Sequence, residues 1–154
     1  MVGEALQPSR DFLLDTGIIM RHLRDDGRAH ALLDYLEGTG EIGVSVVTVM
    51  EILVGCRTQQ EEDTSLSLFD RIPPVIVSRE VAEKAAALVR RYPTAFGKDE
   101  PRGFPDALIG ATAWQRGSIL VTLNTRHFAR VPIAELAIQA IDQKAADWVT
   151  TLKI

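Results

Sequence analysis

The sequence predicts an α/β fold with helices on both faces of a mainly parallel sheet, and three observations carry that prediction. Short, almost continuous apolar runs recur along the chain, as they do in strands buried on both faces. Amphipathic stretches of about 10 to 14 residues lie between them, the alternation expected of helices covering a parallel sheet. The composition, 46% hydrophobic and 25% charged over 154 residues, is that of a globular chain long enough to bury most of its surface.

Phe12 to Asp15 reads as the first strand, ending at an acid followed by Thr16 and Gly17. Gly17 to Leu23 is a short helix, and residues 24–27 are a polar break. Ala29, Leu32, Leu33 and Leu36 recur at helical spacing, and Gly38 and Gly40 punctuate the end. Glu41 to Ser45 is a short second strand. Val46 to Arg57 suits a helix in which Glu51 sits among Val47, Met50, Ile52 and Leu53. Gln59 to Phe69 is a polar-faced helix stopped by Pro73-Pro74. Val75-Ile76-Val77 is a β-branched strand ending at Ser78, a good N-cap for the helix Arg79 to Tyr92. Residues 93–105 form the longest loop. Ala107 to Arg116 is a helix closed by Gly117, Ser118 to Thr122 a strand, and Asn124 to His127 a loop at its end. A last strand near Ala137 to Ile141 and a helix from Lys144 to Leu152 finish the chain. With no repeat, linker or low-complexity segment, one domain over residues 1–154 is expected, residues 1–10 being a flexible extension.

Several classes are disfavoured. No apolar run approaches the roughly 20 residues that span a bilayer, and the first ten residues lack a signal peptide's layout. Cys56 is the single cysteine, so no internal disulfide can form, and a cytoplasmic setting follows. The three histidines, at 22, 30 and 127, are too scattered for a zinc site. The net charge of −4 argues against holding nucleic acid by bulk electrostatics. Any such contact must be local or bridged by a cation.

Three acids then stand out, each with a bland reading beside the functional one. Asp15 can simply cap the helix after it. Thr48 and Glu51 have the spacing of a capping box, although apolar periodicity begins before Thr48, and a carboxylate inside that helix is costly unless paired or metal-bound. Asp106 precedes the run Ala107-Leu108-Ile109 and can also be a cap. Jointly, the acids fall where strands end or the next helices begin, places that share the carboxyl rim where open parallel sheets bind ligands. Three carboxylates meeting there would repel one another, which a hard, oxygen-seeking cation such as Mg²⁺ or Mn²⁺ relieves. Such a site suits hydrolysis of a phosphodiester.

The segments FLLDTGIIMRHLR, VSVVTVMEILVG, FPDALIGATAW and ILVTLNTRHF occur in order at fitting intervals. Together they resemble the PIN domain, specifically the VapC-type ribonuclease toxins of bacterial toxin–antitoxin pairs. The resemblance implies a three-layer α/β/α sandwich and a Mg²⁺- or Mn²⁺-dependent endoribonuclease. It places Asp15, Glu51 and Asp106 as the metal-binding acids, and implies an RNA substrate, a cognate antitoxin and a homodimer. Many relatives carry an aspartate at one or both of two slots after the fourth strand; Asn124 and His127 stand there instead. Asn124 joins the catalytic set as a hydrogen-bonding group without charge, which leaves second-metal occupancy open. Thr16 and Thr122 support the acids or cap helices. Arg21, Arg24, Arg126 and His127 are candidates for RNA phosphate contacts, each with a solvated-surface alternative. Cys56, Trp114 and Trp148 read as core or partner surface, and mid-helix Gly110 as a point of close packing.

Two competing readings remain. Asp15-Thr16-Gly17 matches the D-T-G signature of aspartic proteases, but those need two such aspartates on an all-β scaffold. With Asn124 in the fourth position, the chain can also be an RNA- or protein-binding module that lost turnover.

Overall fold

The computed structural model describes residues 10–97, 103–128 and 133–154, the side chains of Arg126 and His127 excepted. Its centre is β1 (Arg10–Leu14), a strand whose residues alternate between two cores. Phe12 and Leu14 face one hydrophobic cluster and Leu13 the other, as the two-residue period of a strand requires. All three are fully buried, so β1 is covered on both faces.

From β1 the chain forms α1 (Thr16–Leu23), α2 (Gly27–Thr39), β2 (Gly40–Ser45), α3 (Val46–Val54), α4 (Gln59–Arg71) and β3 (Pro74–Val75). It continues through α5 (Arg79–Arg91), α6 (Pro93–Phe96), α7 (Gly103–Arg116), β4 (Ile119–Thr122), α8 (Thr125–Phe128) and β5 (Ala137–Ala140), and a 3₁₀ turn spans Val149–Thr151. The sheet order is β3-β2-β1-β4-β5, with every neighbouring pair parallel. Phe12, Leu14, Val121 and residues of α1, α2 and α4 make one core; Leu13, Leu120 and residues of α5, α6 and α7 make the other. The expected α/β/α sandwich is therefore present. The parallel sheet also removes the scaffold that an aspartic protease needs. Among the described residues no helix is long and apolar enough to cross a membrane.

Chain order decides where the rim opens. The strands step outward from β1 to β2 to β3, then return to β4 on the other side of β1. The reversal lies between β1 and β4, and the crevice beyond their carboxyl ends is the usual ligand position in such sheets. Asp15 and Thr122 stand at those two ends.

Local differences from the expected elements have identifiable causes. Thr39 ends α2 and Gly40 begins β2 with no loop between; a Cβ on Gly40 would lie 2.1 Å from the Arg10 carbonyl oxygen. Only glycine permits that approach. The predicted strand Val75–Val77 shrinks to Pro74–Val75, because Ile76 has turned out to solvent at 72% exposure. The predicted 93–105 loop contains α6, with Pro93 at its first turn, a favoured place for proline, and α7 already begins at Gly103. Residues 98–102 lie outside the described residues. Asn124–His127, read as a loop, contributes to α8. Arg10, counted with the extension, opens β1; residues 1–9 lie outside the described residues. Gly110 is close-packed as expected, its missing Cβ pointing toward Leu136 and Leu88.

The expected tail helix Lys144–Leu152 is replaced by turns, because side chains take its backbone groups. Asp142 accepts from the Lys144 amide and Asp147 from the Val149 amide, both at 2.9 Å. Arg28 holds this tail against α2. Its guanidinium forks onto Asp26 at 3.0 and 2.8 Å, donates to the Gln143 and Ala145 carbonyls at 2.7 and 3.1 Å, and lies 4.7 Å from the Trp148 ring centroid. The Arg28 hydrogen bond lowers the pKa of Asp26 to about 2.

The α1–α2 contact also carries a pH dependence. His22 meets His30 edge-on, with ring centroids 4.3 Å apart, and its Nδ1 is buried without a hydrogen-bond partner among the described residues. Burial first, then the charges of His30 and Arg71, lower the His22 pKa, while Asp34 and Asp25 oppose them. On acidification the unfolded chain then takes up this proton before the folded one. The contribution of His22 to stability is therefore fully present above about pH 6.5 and is lost as pH falls through the lowered folded-state value. The melting temperature should fall as the pH drops below about 6.5, and His22→Phe should flatten that slope; equal slopes in both proteins would refute the assignment.

Candidate active site

Asp15 follows β1 directly. Its amide donates to the Val121 carbonyl at 2.9 Å, so the β1–β4 pairing fixes its position at the rim. The side chain caps α1, accepting from the Thr16 amide at 2.8 Å through Oδ1. The capping reading thus holds, but it does not exhaust the residue. Its Oδ2 accepts from the Thr122 hydroxyl at 2.5 Å, and the residue is 6% exposed. Both of its oxygens are thus engaged by donors from the elements that flank the rim.

Thr122 extends the connection. Its Oγ1 accepts from the Asn124 amide at 2.9 Å, and the Asn124 side-chain Nδ2 donates to Asp106 Oδ2 at 3.2 Å. Asp106 is the fourth residue of α7 rather than the residue that opens it. A carboxylate in a first turn is favoured by the positive end of the helix dipole.

Glu51 lies on the other side of Asp15. The cap of α3 is Ser45, whose Oγ accepts from the Val47 amide at 3.1 Å. Thr48 is then the third residue of the helix and Glu51 the sixth, so the capping-box reading fails. Glu51 Oε1 instead accepts from the Thr16 hydroxyl at 2.8 Å, and Thr16 Oγ1 lies 3.0 Å from Thr48 Oγ1.

The result is one hydrogen-bonded succession at the carboxyl rim: Glu51, Thr16, Asp15, Thr122, Asn124, Asp106. The donor set, carboxylates with an amide oxygen, is hard and suits Mg²⁺ or Mn²⁺ in kind. In the positions described, no three His, Cys, Asp or Glu side chains stand close enough together to share an ion. Asn124 spans the gap between Thr122 and Asp106.

The proposed phosphate contacts are distributed differently. Arg24 lines a groove of about 720 Å³ that has Glu51 in its wall and Met20, Leu23, Ile52 and Arg57 around it. Arg21 lies in the last turn of α1. Arg126 and His127 belong to α8, with side chains outside those described. The residue that sequence reasoning undervalued is Thr48. It is fully buried, and the signal was available: positions three apart share a helix face, so Thr48 and Glu51 had to point the same way.

The chain as a whole is similar to proteins already known. Ribonuclease VapC19 of Mycobacterium tuberculosis is 34% identical over 123 residues, covering 78% of this chain and 94% of the relative. The tRNA(fMet)-specific endonuclease VapC of Shigella flexneri is 28% identical over 121 residues, covering 78% of this chain and 91% of the relative. Among solved structures, a toxin–antitoxin complex from Klebsiella pneumoniae matches with a TM-score of 0.66 at 27% identity, covering 83% of this chain and 95% of that one. VapBC2 from Rickettsia felis, bound to a promoter DNA fragment, shares the fold at 19% identity, with a TM-score of 0.71 over 86% of this chain and 99% of that one. The PIN domain family model matches residues 12–134, from the middle of β1 to beyond α8. The chain belongs to the PIN-domain family.

Proposed function

We propose that this chain is a cytoplasmic, Mg²⁺- or Mn²⁺-dependent endoribonuclease that acts as the toxin of a toxin–antitoxin pair. The observation that carries the proposal is the hydrogen-bonded succession from Glu51 to Asp106 at the topological switch point. It supports the reading because hydroxyls and an amide hold three carboxylates in fixed order, on a fold whose named relatives include ribonucleases.

Asp15, Glu51 and Asp106 would hold the cation, and because they do not stand close enough to share it in the described positions, binding would have to draw them together. When bound, it supplies activation of water and stabilisation of charge on the phosphate oxygens. The protein's own part is positioning. Thr122 and the Thr16 amide fix both Asp15 oxygens, the Thr16 hydroxyl fixes Glu51, and the Asn124 amide fixes Asp106. Hydrolysis adds one water across a phosphodiester, and orientation of that water and the scissile group is what such a framework contributes.

The groove beside Glu51 and the neighbouring toxin–antitoxin complex support a protein partner. An Arg or Lys from that partner would compete with the cation at the acidic rim and so inhibit. Met50 and Val54, 55% and 81% exposed on α3, support a second copy as a further partner. One observation favours a binding module without turnover: Asn124 brings no charge to the fourth position.

Incubation with single-stranded and structured RNA, in Mg²⁺, Mn²⁺ or EDTA, separates these readings. Cleavage is expected only with metal, and Asp106→Asn should lower it by on the order of 10²-fold or more. RNA left intact in the presence of metal, or cut equally well by the variant, refutes the enzyme.

A further inference from the structure

We propose that Thr48 is a positioning residue: through the Thr16 hydroxyl, it fixes the direction in which Glu51 presents its carboxylate to the cation. This rests on the metal-dependent reading above.

A threonine hydroxyl has one proton to donate and lone pairs to accept with. Thr16 gives its proton to Glu51 Oε1 at 2.8 Å, and a carboxylate can only accept. The 3.0 Å contact between Thr16 and Thr48 must then run the other way, with Thr48 donating. The order Thr48 to Thr16 to Glu51 is one-directional, and each bond polarises the next.

Burial strengthens the point. Thr48 is fully buried and Thr16 is 9% exposed, so water is a poor substitute for either hydroxyl. A buried helical threonine has an alternative use for its proton, the carbonyl four residues earlier. Thr112 shows it, donating to the Leu108 carbonyl at 2.8 Å while fully buried. For Thr48 the hydrogen-bonding partner is Thr16. The hydroxyl therefore serves α1 and the rim rather than its own helix.

The location also sets the geometry that the relay controls. Thr48 and Glu51 share a face of α3 across one turn, and Thr16 opens α1 immediately after Asp15. The relay thus ties α3 to α1 at the point where two of the three acids leave the backbone. Without the Thr48 donor, the Thr16 hydroxyl is free to rotate toward other acceptors, Asp15 among them. Glu51 then loses the bond that selects its orientation, while every metal-binding oxygen remains.

The test is Mn²⁺ affinity, read from the free Mn²⁺ resonance signal during titration, with melting temperature followed in EDTA. Thr48→Val, nearly the same shape without the hydroxyl, should weaken Mn²⁺ binding about tenfold, the scale of partners that orient metal ligands. Thr48→Ser should restore affinity to within about twofold. In a Thr16→Val background, Thr48→Val should have no further effect on affinity. Equal affinity for wild type and Thr48→Val overturns the relay, as does an undiminished effect in the Thr16→Val background. If Thr48→Val melts too low to titrate, Thr48→Ala against Thr48→Ser makes the same comparison. Failure of wild type itself to bind Mn²⁺ overturns the metal-dependent reading and this inference together, whereas a tight wild type with an unaffected variant overturns this inference alone.

Discussion

Asp15→Asn should reduce RNA cleavage by on the order of 10³-fold while costing little stability. The two consequences separate because Asp15 has two jobs. As a cap it accepts from the Thr16 amide, and asparagine caps a helix about as well as aspartate. As a carboxylate it also accepts from Thr122, and an asparagine NH₂ in place of one oxygen loses that bond. One lost hydrogen bond costs about 1 kcal/mol, roughly 2 to 4 °C in melting temperature at this chain length. Asp15→Ala loses the cap, about 0.5 to 2 kcal/mol, and strands the buried Thr122 hydroxyl for about 1 to 3 kcal/mol more. The two variants should therefore be equally inactive and unequally stable. Initial cleavage rates and thermal melts of both proteins check this. Asp15→Asn retaining activity within about tenfold of wild type would remove Asp15 from the chemistry.

Trp148→Ala should have the largest effect on stability, about 3 to 5 kcal/mol. The ring is fully buried among Phe12, Leu32 and Leu36 in the α1–α2 core, and Arg28 covers it. Its loss leaves a large cavity and releases a tail otherwise tied down through Gln143, Ala145 and Lys153. A fall in melting temperature of roughly 10 °C follows from the size scaling. Trp148→Phe should be much milder. The indole Nε1 is buried without a hydrogen-bond partner among the described residues, so phenylalanine removes an unsatisfied donor while keeping most of the apolar body. Similar melting temperatures for Trp148→Ala and wild type would show that the tail does not seal the core.

The fold class was legible because β1 and β4 are buried on both faces, and continuous apolar runs are what such strands require. The acids at the rim were legible for a related reason: Asp15 interrupts Phe12-Leu13-Leu14 abruptly. What stayed hidden was hydrogen bonding between residues distant in sequence. Thr48 looked like a cap because the spacing from Thr48 to Glu51 is the same in a capping box and on a helix face. Only Ser45, bonded to the Val47 amide, decides between them. The tail misled for a similar reason. Lys144 to Leu152 has helical composition, but Asp142, Asp147 and Arg28 take the backbone groups a helix would use. α8 is four residues long, too short to show a period.

The strand order has a consequence for synthesis on the ribosome. β1 emerges more than a hundred residues before its neighbour β4 and the Thr122 hydroxyl. Until β4 has emerged, Asp15 lacks the backbone partner that fixes its position, and Asp106 has no Asn124 to hold it. A nascent chain that has not yet exposed β4 therefore lacks the hydrogen-bonded arrangement at the rim, however much of the first core has already formed.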